Sequence, residues 1–262
     1  MVALAGVATV QDAGRPGLMH QGVPEGGALV VELLGAANAA ARNALGEAAL
    51  EVFGSLTVAA RGAPCLVAND DGQACVLADG ETWSVTCARA RVRYLAVRGG
   101  VDAPRVLGGR GTLLVAGLGG HEGRPLRKGD RLRVGSSEER EATAPPPPDV
   151  VAPIRVLPGP DTERFAPPAV ETLLGTPFFV SERSDRVGVR LRGQALGRVG
   201  DDSGVSSPMV RGAIQVPVSG EPIVLGPDHP TIGGYPVIAT VALAHLGALF
   251  ARPVGGLVRF SR

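Results

Sequence analysis

Glycine and proline punctuate this chain too closely for it to be built from long helices. Across 262 residues there are 38 glycines and 22 prolines; glycine weakens a helix through its backbone entropy and proline through its missing N–H. What fits between such breaks is the short strand and the tight turn, so the fold class is expected to be mainly β. Alternating or β-branched runs occur at Leu56 to Ala60, Cys65 to Ala68, Ala74 to Leu77, Trp83 to Cys87, Val92 to Val97, Leu132 to Val134, Ile154 to Leu157, Phe178 to Val180 and Leu257 to Phe260. One helical pattern survives from Ala28 to Leu45, with Leu29, Leu33, Ala36, Ala37 and Ala40 on one face. A second helix is predicted over Val237 to Leu249, which makes one or two short helices among the strands.

The length suits one large domain or two ordinary ones, and the run Ala144-Pro-Pro-Pro-Pro148 decides for two. Preceded by the charged Glu138-Glu-Arg-Glu141, it continues neither a helix nor a central strand and reads as a stiff spacer. The expected division is an N-terminal barrel over 1–143, a linker over 144–150 and a C-terminal barrel over 151–262. Leu126 to Val134 and Pro253 to Phe260 look like a weak internal repeat that closes each half.

Charge removes several partners. The 26 basic and 25 acidic residues leave a formal charge of +1, no footprint for nucleic acid or an anionic membrane. No apolar run approaches the roughly 20 residues a spanning helix needs, and a signal peptide is not visible, so a soluble cytoplasmic protein is expected. Cys65, Cys75 and Cys87 are odd in number without a close pair, which suits reduced, mostly buried thiols. The four histidines share no metal-ligand spacing and no serine stands in a nucleophile elbow, so neither a metal site nor a serine hydrolase is expected. Lys128 is the only lysine, and Gly129-Asp130 after it rules out a P-loop.

The densest group of site-like residues lies between Gly212 and Val241. Ala213 to Val218 and Pro222 to Leu225 are β-prone around Ser219-Gly220, which predicts a hairpin. Asp228, His229, Thr231 and Tyr235 follow on a loop, where Gly233-Gly234 offers positive φ and a close backbone approach to a ligand. Gly212-Ala-Ile-Gln-Val-Pro, Pro222-Ile-Val-Leu, Asp228, Thr231 and Gly233-Gly234-Tyr235-Pro236 resemble the family of allophanate hydrolase subunit 2, KipA and the 5-oxoprolinase C subunit. Val10-Gln-Asp-Ala-Gly-Arg-Pro-Gly17, Gly22-Val-Pro24 and Ala49-Leu-Glu51 resemble its opening motif, and Glu182-Arg-Ser-Asp-Arg186 with Gly188 and Leu191 its middle motif. The resemblance implies two cyclophilin-like β-barrels, a KipI-like partner subunit and a small amide or lactam substrate. It also implies that no cofactor is bound covalently, that ATP acts at the assembled complex and that any biotin arrives on a partner chain, because Lys128 lacks the flanking methionines of a biotin acceptor.

Chemistry on an amide or lactam needs a proton acceptor, oxyanion donors and groups that hold the substrate. Asp228 reads equally as the base or substrate anchor and as an Asx-turn residue, with Gln215 and Tyr235 as the other catalytic candidates. Thr231, Gly233 and Gly234 are substrate-binding candidates, the glycines through a backbone nest that is also plain turn geometry. Asp12 and Arg15 suit a carboxylate clamp or a local pair that closes its own loop, and Asp185 with Arg186 invites the same two readings. Asn38, Asn43 and Glu51 read as capping and buried hydrogen-bonding residues. Two departures remove charge from the motif edges: Leu29-Val30 stands where the family has Met-Asp, and Val237 where it often has lysine. Three readings follow: one part of an ATP-dependent 5-oxoprolinase, a carboxyltransferase acting on urea or a similar amide, and a KipA-like antagonist of a sensor-kinase inhibitor.

Overall fold

A computed structural model describes residues 1–88, 90–136, 140–199 and 206–262; Glu138 and Glu139 of the charged run lie outside the described residues. The chain divides into two compact units, Met1–Arg15 with Gly26–Pro148, and Pro16–Glu25 with Asp149–Arg262. The break at Pro148 falls within the proline run. Residues 16–25 group with the second unit, which a linear division at the linker does not provide for.

The first unit contains β1 (Ala3–Gln11), α1 (Val31–Ala40), β2 (Ala49–Ala59), β3 (Cys65–Asn69), β4 (Ala74–Leu77), β5 (Thr82–Thr86) and β6 (Arg93–Val97). Its strands run in the order β1-β2-β6-β3-β4, with β5 also on β2. The long β2 pairs with β6 through Leu50 to Val52 and with β5 through Ser55 to Ala59, so one strand feeds two partners and the sheet curls towards a barrel. Gly6 and Gly54 face each other in the β1–β2 ladder with φ of +113° and +105°. A Cβ on either would lie about 2 Å from a carbonyl oxygen of the opposite strand, so the bend tolerates only glycine. Val10, Leu50, Val52, Leu56, Val67, Leu77, Val85 and Leu95 fill the interior, and each buried aliphatic side chain contributes roughly 1.5–3 kcal/mol. α1 lies against β6 and β3 and buries Leu34 and Ala37.

The second unit contains β7 (Ile154–Pro158), α2 (Pro168–Gly175), β8 (Phe178–Val180), β9 (Gly188–Arg192), β10 (Ser207–Pro208), β11 (Ala213–Gln215), β12 (Ile223–Leu225), β13 (Ile232–Gly233), β14 (Val237–Val241), α3 (Leu246–Phe250), β15 (Leu257–Val258) and β16 (Phe260–Ser261). Eight of these strands form one sheet in the order β15-β8-β9-β12-β11-β14-β7-β16, antiparallel except for the β7–β16 pair. Phe178 and Phe260, with ring centroids 6.0 Å apart, pack in its core. Both units thus have the mainly β, barrel-like character expected.

Three expectations need correction. The helix predicted over Val237 to Leu249 is strand β14, a single 3-10 turn and then α3, because Val237, Ile238, Thr240 and Val241 suit a strand that bonds β11 on one side and β7 on the other. Leu132 to Val134 forms no strand and only Val134 bridges to Val101, so the weak repeat with 253–260 does not correspond to a shared structure. Cys75 is exposed and Cys65 half-buried, whereas Cys87 alone is buried; all three are free.

Candidate functional site

In the second unit the predicted hairpin forms, with Ile214 opposite Val224 and Gln215 opposite Ile223. β14 takes the other edge of β11, and the register breaks between Ile214 and Gln215. A second strand pair, β10 with β13, brings Met209 to the same place, its N–H donating to the Thr231 carbonyl at 3.0 Å. Gln215 is buried, and its Nε2 donates to Met209 Sδ at 3.1 Å and to the Tyr235 carbonyl at 3.4 Å. Its amide therefore holds the loop that carries Tyr235. A Cβ on Gly233 would lie 2.8 Å from Gln215 Nε2 and 3.1 Å from Met209 Cγ. Close approach of the Gln215 and Met209 side chains favours glycine at 233, not the positive φ expected, which neither Gly233 nor Gly234 adopts. Tyr235 remains 42% exposed, with Thr231 half-buried nearby in sequence.

Asp228 and Arg186 form one buried unit. Arg186 Nε donates to Asp228 Oδ2 at 2.8 Å and Nη2 to Oδ1 at 2.9 Å, with side chains 7% and 4% exposed. Both carboxylate oxygens thus receive the two parallel bonds of a fork, geometry that fixes orientation as well as charge. The pair ties the turn before β9 to the loop after β12. Asp185, next in sequence, does a different job: its Oδ1 accepts from the N–H groups of Val187 and Gly188 at 2.9 and 3.0 Å, an exposed Asx turn. His229 is buried and its Nδ1 lies 2.7 Å from the Pro230 carbonyl; a carbonyl only accepts, so Nδ1 carries the proton and is not a base.

The first unit uses its opening motif as scaffold. Asp12 Oδ1 accepts from Gly14 N at 2.9 Å and Oδ2 from Arg110 N at 2.5 Å. Arg15 is 1% exposed, with Nε donating to the Val106 carbonyl at 2.8 Å and Nη2 to the Gly111 carbonyl at 2.6 Å. All four of these bonds go to backbone groups, and the three to Val106, Arg110 and Gly111 fix the loop from 106 to 111. Asn38, Asn43 and Glu51 are fully buried and hydrogen-bonded, as read from the sequence. Glu51 Oε2 accepts from Tyr94 Oη at 2.5 Å and from Leu29 N at 2.8 Å, so the segment in which the family's Met-Asp is replaced is held through its backbone. Lys128 sits in a turn closed by Asp130, whose carboxyl the Arg124 guanidinium holds down at about 2. Burial pushes the Cys65 and Cys87 thiols up, which disfavours the nucleophilic thiolate.

Sequence reasoning passed over Glu47, Asp102, Arg105 and Arg110, which line a polar cleft in the first unit. They belong to no recognised motif, and the one available signal was the pair of arginines set among Gly108, Gly109 and Gly111. Among the described residues no helix is long and apolar enough to cross a membrane.

Residues 21–262, which hold both the Gln215 loop and the Arg186–Asp228 pair, match the carboxyltransferase domain, subdomain A and B. The chain belongs to this family. It is 37% identical to the C subunit of 5-oxoprolinase from Escherichia coli over 96% of its length and 87% of that protein's. It is 32% identical to the C subunit of 5-oxoprolinase from Haemophilus influenzae, over 97% of this chain and 87% of the other. The crystal structure of Kluyveromyces lactis urea carboxylase matches 99% of the chain with a TM-score of 0.87 at 25% identity, and the chain spans 27% of that much longer protein. This carboxyltransferase-domain chain therefore shares near full-length similarity with relatives named as subunits, and its fold with one segment of a longer protein.

Proposed function

We propose that the chain is one subunit of a cytoplasmic, heteromeric, ATP-dependent 5-oxoprolinase that works with a KipI-like subunit to open a small lactam. The observation that carries this reading is the 37% identity to a 5-oxoprolinase C subunit, sustained over 96% of this chain and 87% of the relative. Opening a lactam requires its ring to be held while the carbonyl is polarised. In the second unit, exposed Tyr235 and half-buried Thr231 are the groups offered to a ligand. Gln215 holds the Tyr235 segment through that residue's carbonyl. ATP engages the assembled complex. The chain is to be captured from its own source with its partner, and glutamate formation from 5-oxoproline followed with and without ATP. ATP-dependent glutamate that falls at least tenfold in Tyr235→Phe, with assembly intact, supports the reading; an assembled complex without that activity overturns it.

The likeness to urea carboxylase, at a TM-score of 0.87, favours one second reading, carboxyl transfer to urea or a related amide. Lys128, turned at the Asp130 corner without neighbouring methionines, does not fit a biotin acceptor, so carboxybiotin would be carried by a partner. A biotinylated co-purifying chain together with urea-dependent bicarbonate consumption selects this reading over the first.

A further inference from the structure

We infer that the polar cleft of the first unit is a binding site for a small zwitterionic amino acid. The cleft has a volume of about 380 Å³ and is walled by Glu47, Asp102, Arg105 and Arg110 over a floor that includes Gly99 and Gly135, a size within the ordinary range of small-molecule sites. Its charged groups are not exhausted by the protein. Arg110 Nη1 donates to Asp102 Oδ1 at 3.2 Å and to the Ala103 carbonyl, while its Nε and Nη2 have no partner among the described residues. Among the described residues, exposed Arg105 makes a single long contact, 3.4 Å from Nη1 to the Gly108 carbonyl. Asp102 accepts Arg110 through Oδ1, and Glu47 accepts the Ala48 N–H through Oε1 at 3.4 Å, which leaves one oxygen of each carboxylate available.

The walls are also rigid. Arg110 is anchored at its own N–H by Asp12, and the carbonyls of Val106 and Gly111 on either side are held by Arg15. The floor is backbone against backbone: a Cβ on Gly99 would stand 2.1 Å from the Gly135 carbonyl oxygen, and Gly135 N donates to the Gly100 carbonyl at 2.9 Å. The backbone around Arg110 is thus held before a ligand arrives, which lowers the ordering cost of binding, whereas the exposed Arg105 side chain is ordered by the ligand. Guanidinium edges take a carboxylate in a bidentate fork, whereas the spare oxygens of Glu47 and Asp102 repel a second anion and accept from an ammonium. Only a ligand with both charges satisfies both walls. Phosphate, which lacks a cation, meets two carboxylates, and a simple amine meets two guanidinium groups.

The test is calorimetric titration of the full chain with L-glutamate, 5-oxoproline and inorganic phosphate. 5-Oxoproline keeps the α-carboxylate of glutamate but has neither its ammonium nor its second carboxylate, so the contribution of the acidic wall is isolated by Glu47→Gln, read with the same ligand. The expected result is glutamate binding that is at least tenfold tighter than either of the others and weakens tenfold or more in both Arg105→Gln and Glu47→Gln. Arg105 is exposed and carries one long hydrogen bond, so its substitution leaves the urea unfolding midpoint unchanged. Equal binding of glutamate and 5-oxoproline, binding of phosphate alone, or glutamate binding indifferent to both substitutions overturns the assignment. Since the readout is binding to this chain, the result does not depend on which reaction the assembled complex performs.

Discussion

At the scale of single residues, the second unit's polar loop is organised by charge taken out of water. Arg186 and Asp228 are almost completely buried and meet through two short bonds, an arrangement in which each ion compensates the desolvation of the other. Removing one partner abandons the other in the interior. Arg186→Met or Asp228→Leu alone is expected to cost about 3–5 kcal/mol, while the double substitution costs much less because no charge remains. Urea unfolding of the four proteins of this cycle checks the claim, and additive losses would show that the pair is not a unit. Sequence reading found both residues but could not pair them, because 42 positions separate them and only the fold sets the turn before β9 against the loop after β12. The same limit applies to Arg15. A guanidinium in a glycine-rich turn looks like an anion clamp until the structure shows its donors directed at backbone carbonyls.

At the scale of elements, local chemistry was legible where hydrophobic pattern and turn residues agreed. The hairpin of β11 and β12 and the strands β4 and β8 follow from β-prone runs bounded by turn formers. Where the pattern was a continuous apolar run, as in β14, strand and helix were not separable by period, and the β-branched residues held the deciding information. α2 was missed although proline opens it and glycine ends it, the usual asymmetry of helix termini. α1 reveals a defect instead. Its N-cap is Val30, extended at φ −123° and ψ 100°, with no side-chain bond to the first turn. This is the position where the family resemblance places an aspartate, a good N-cap residue. Val30→Thr keeps the shape and adds an acceptor for a first-turn N–H, and about 0.5–1 kcal/mol of added stability is expected. A urea midpoint that stays the same or falls in this variant would mean that burial of the hydroxyl outweighs the cap.

At the scale of the whole molecule, the sequence reading rested on the proline run, and composition had no means of showing that the chain leaves the first unit early. Pro16–Glu25 groups with the second unit while Met1–Arg15 and Gly26–Pro148 form the first. Asp12 and Gly27 stay behind at the two ends of this excursion: Ala28 N donates to the Asp12 carbonyl at 2.9 Å, and a Cβ on Gly27 would lie 2.9 Å from Gly14 N. The excursion therefore starts and ends at one point, and for the first unit it is an inserted loop whose release costs little more than loop entropy. For the second unit the same residues are a separate segment of its structure. Cutting the chain at the proline run is thus expected to be asymmetric: 1–148 retains all of its own unit and folds, whereas 149–262 lacks a piece and is less stable or unfolded. Circular dichroism and limited proteolysis of both fragments, with a peptide covering 14–27 added to the second, measure the difference. Recovery of protease resistance in 149–262 by the peptide is the expected outcome, and a second fragment that folds fully without it would show that Pro16–Glu25 is dispensable to the unit it joins.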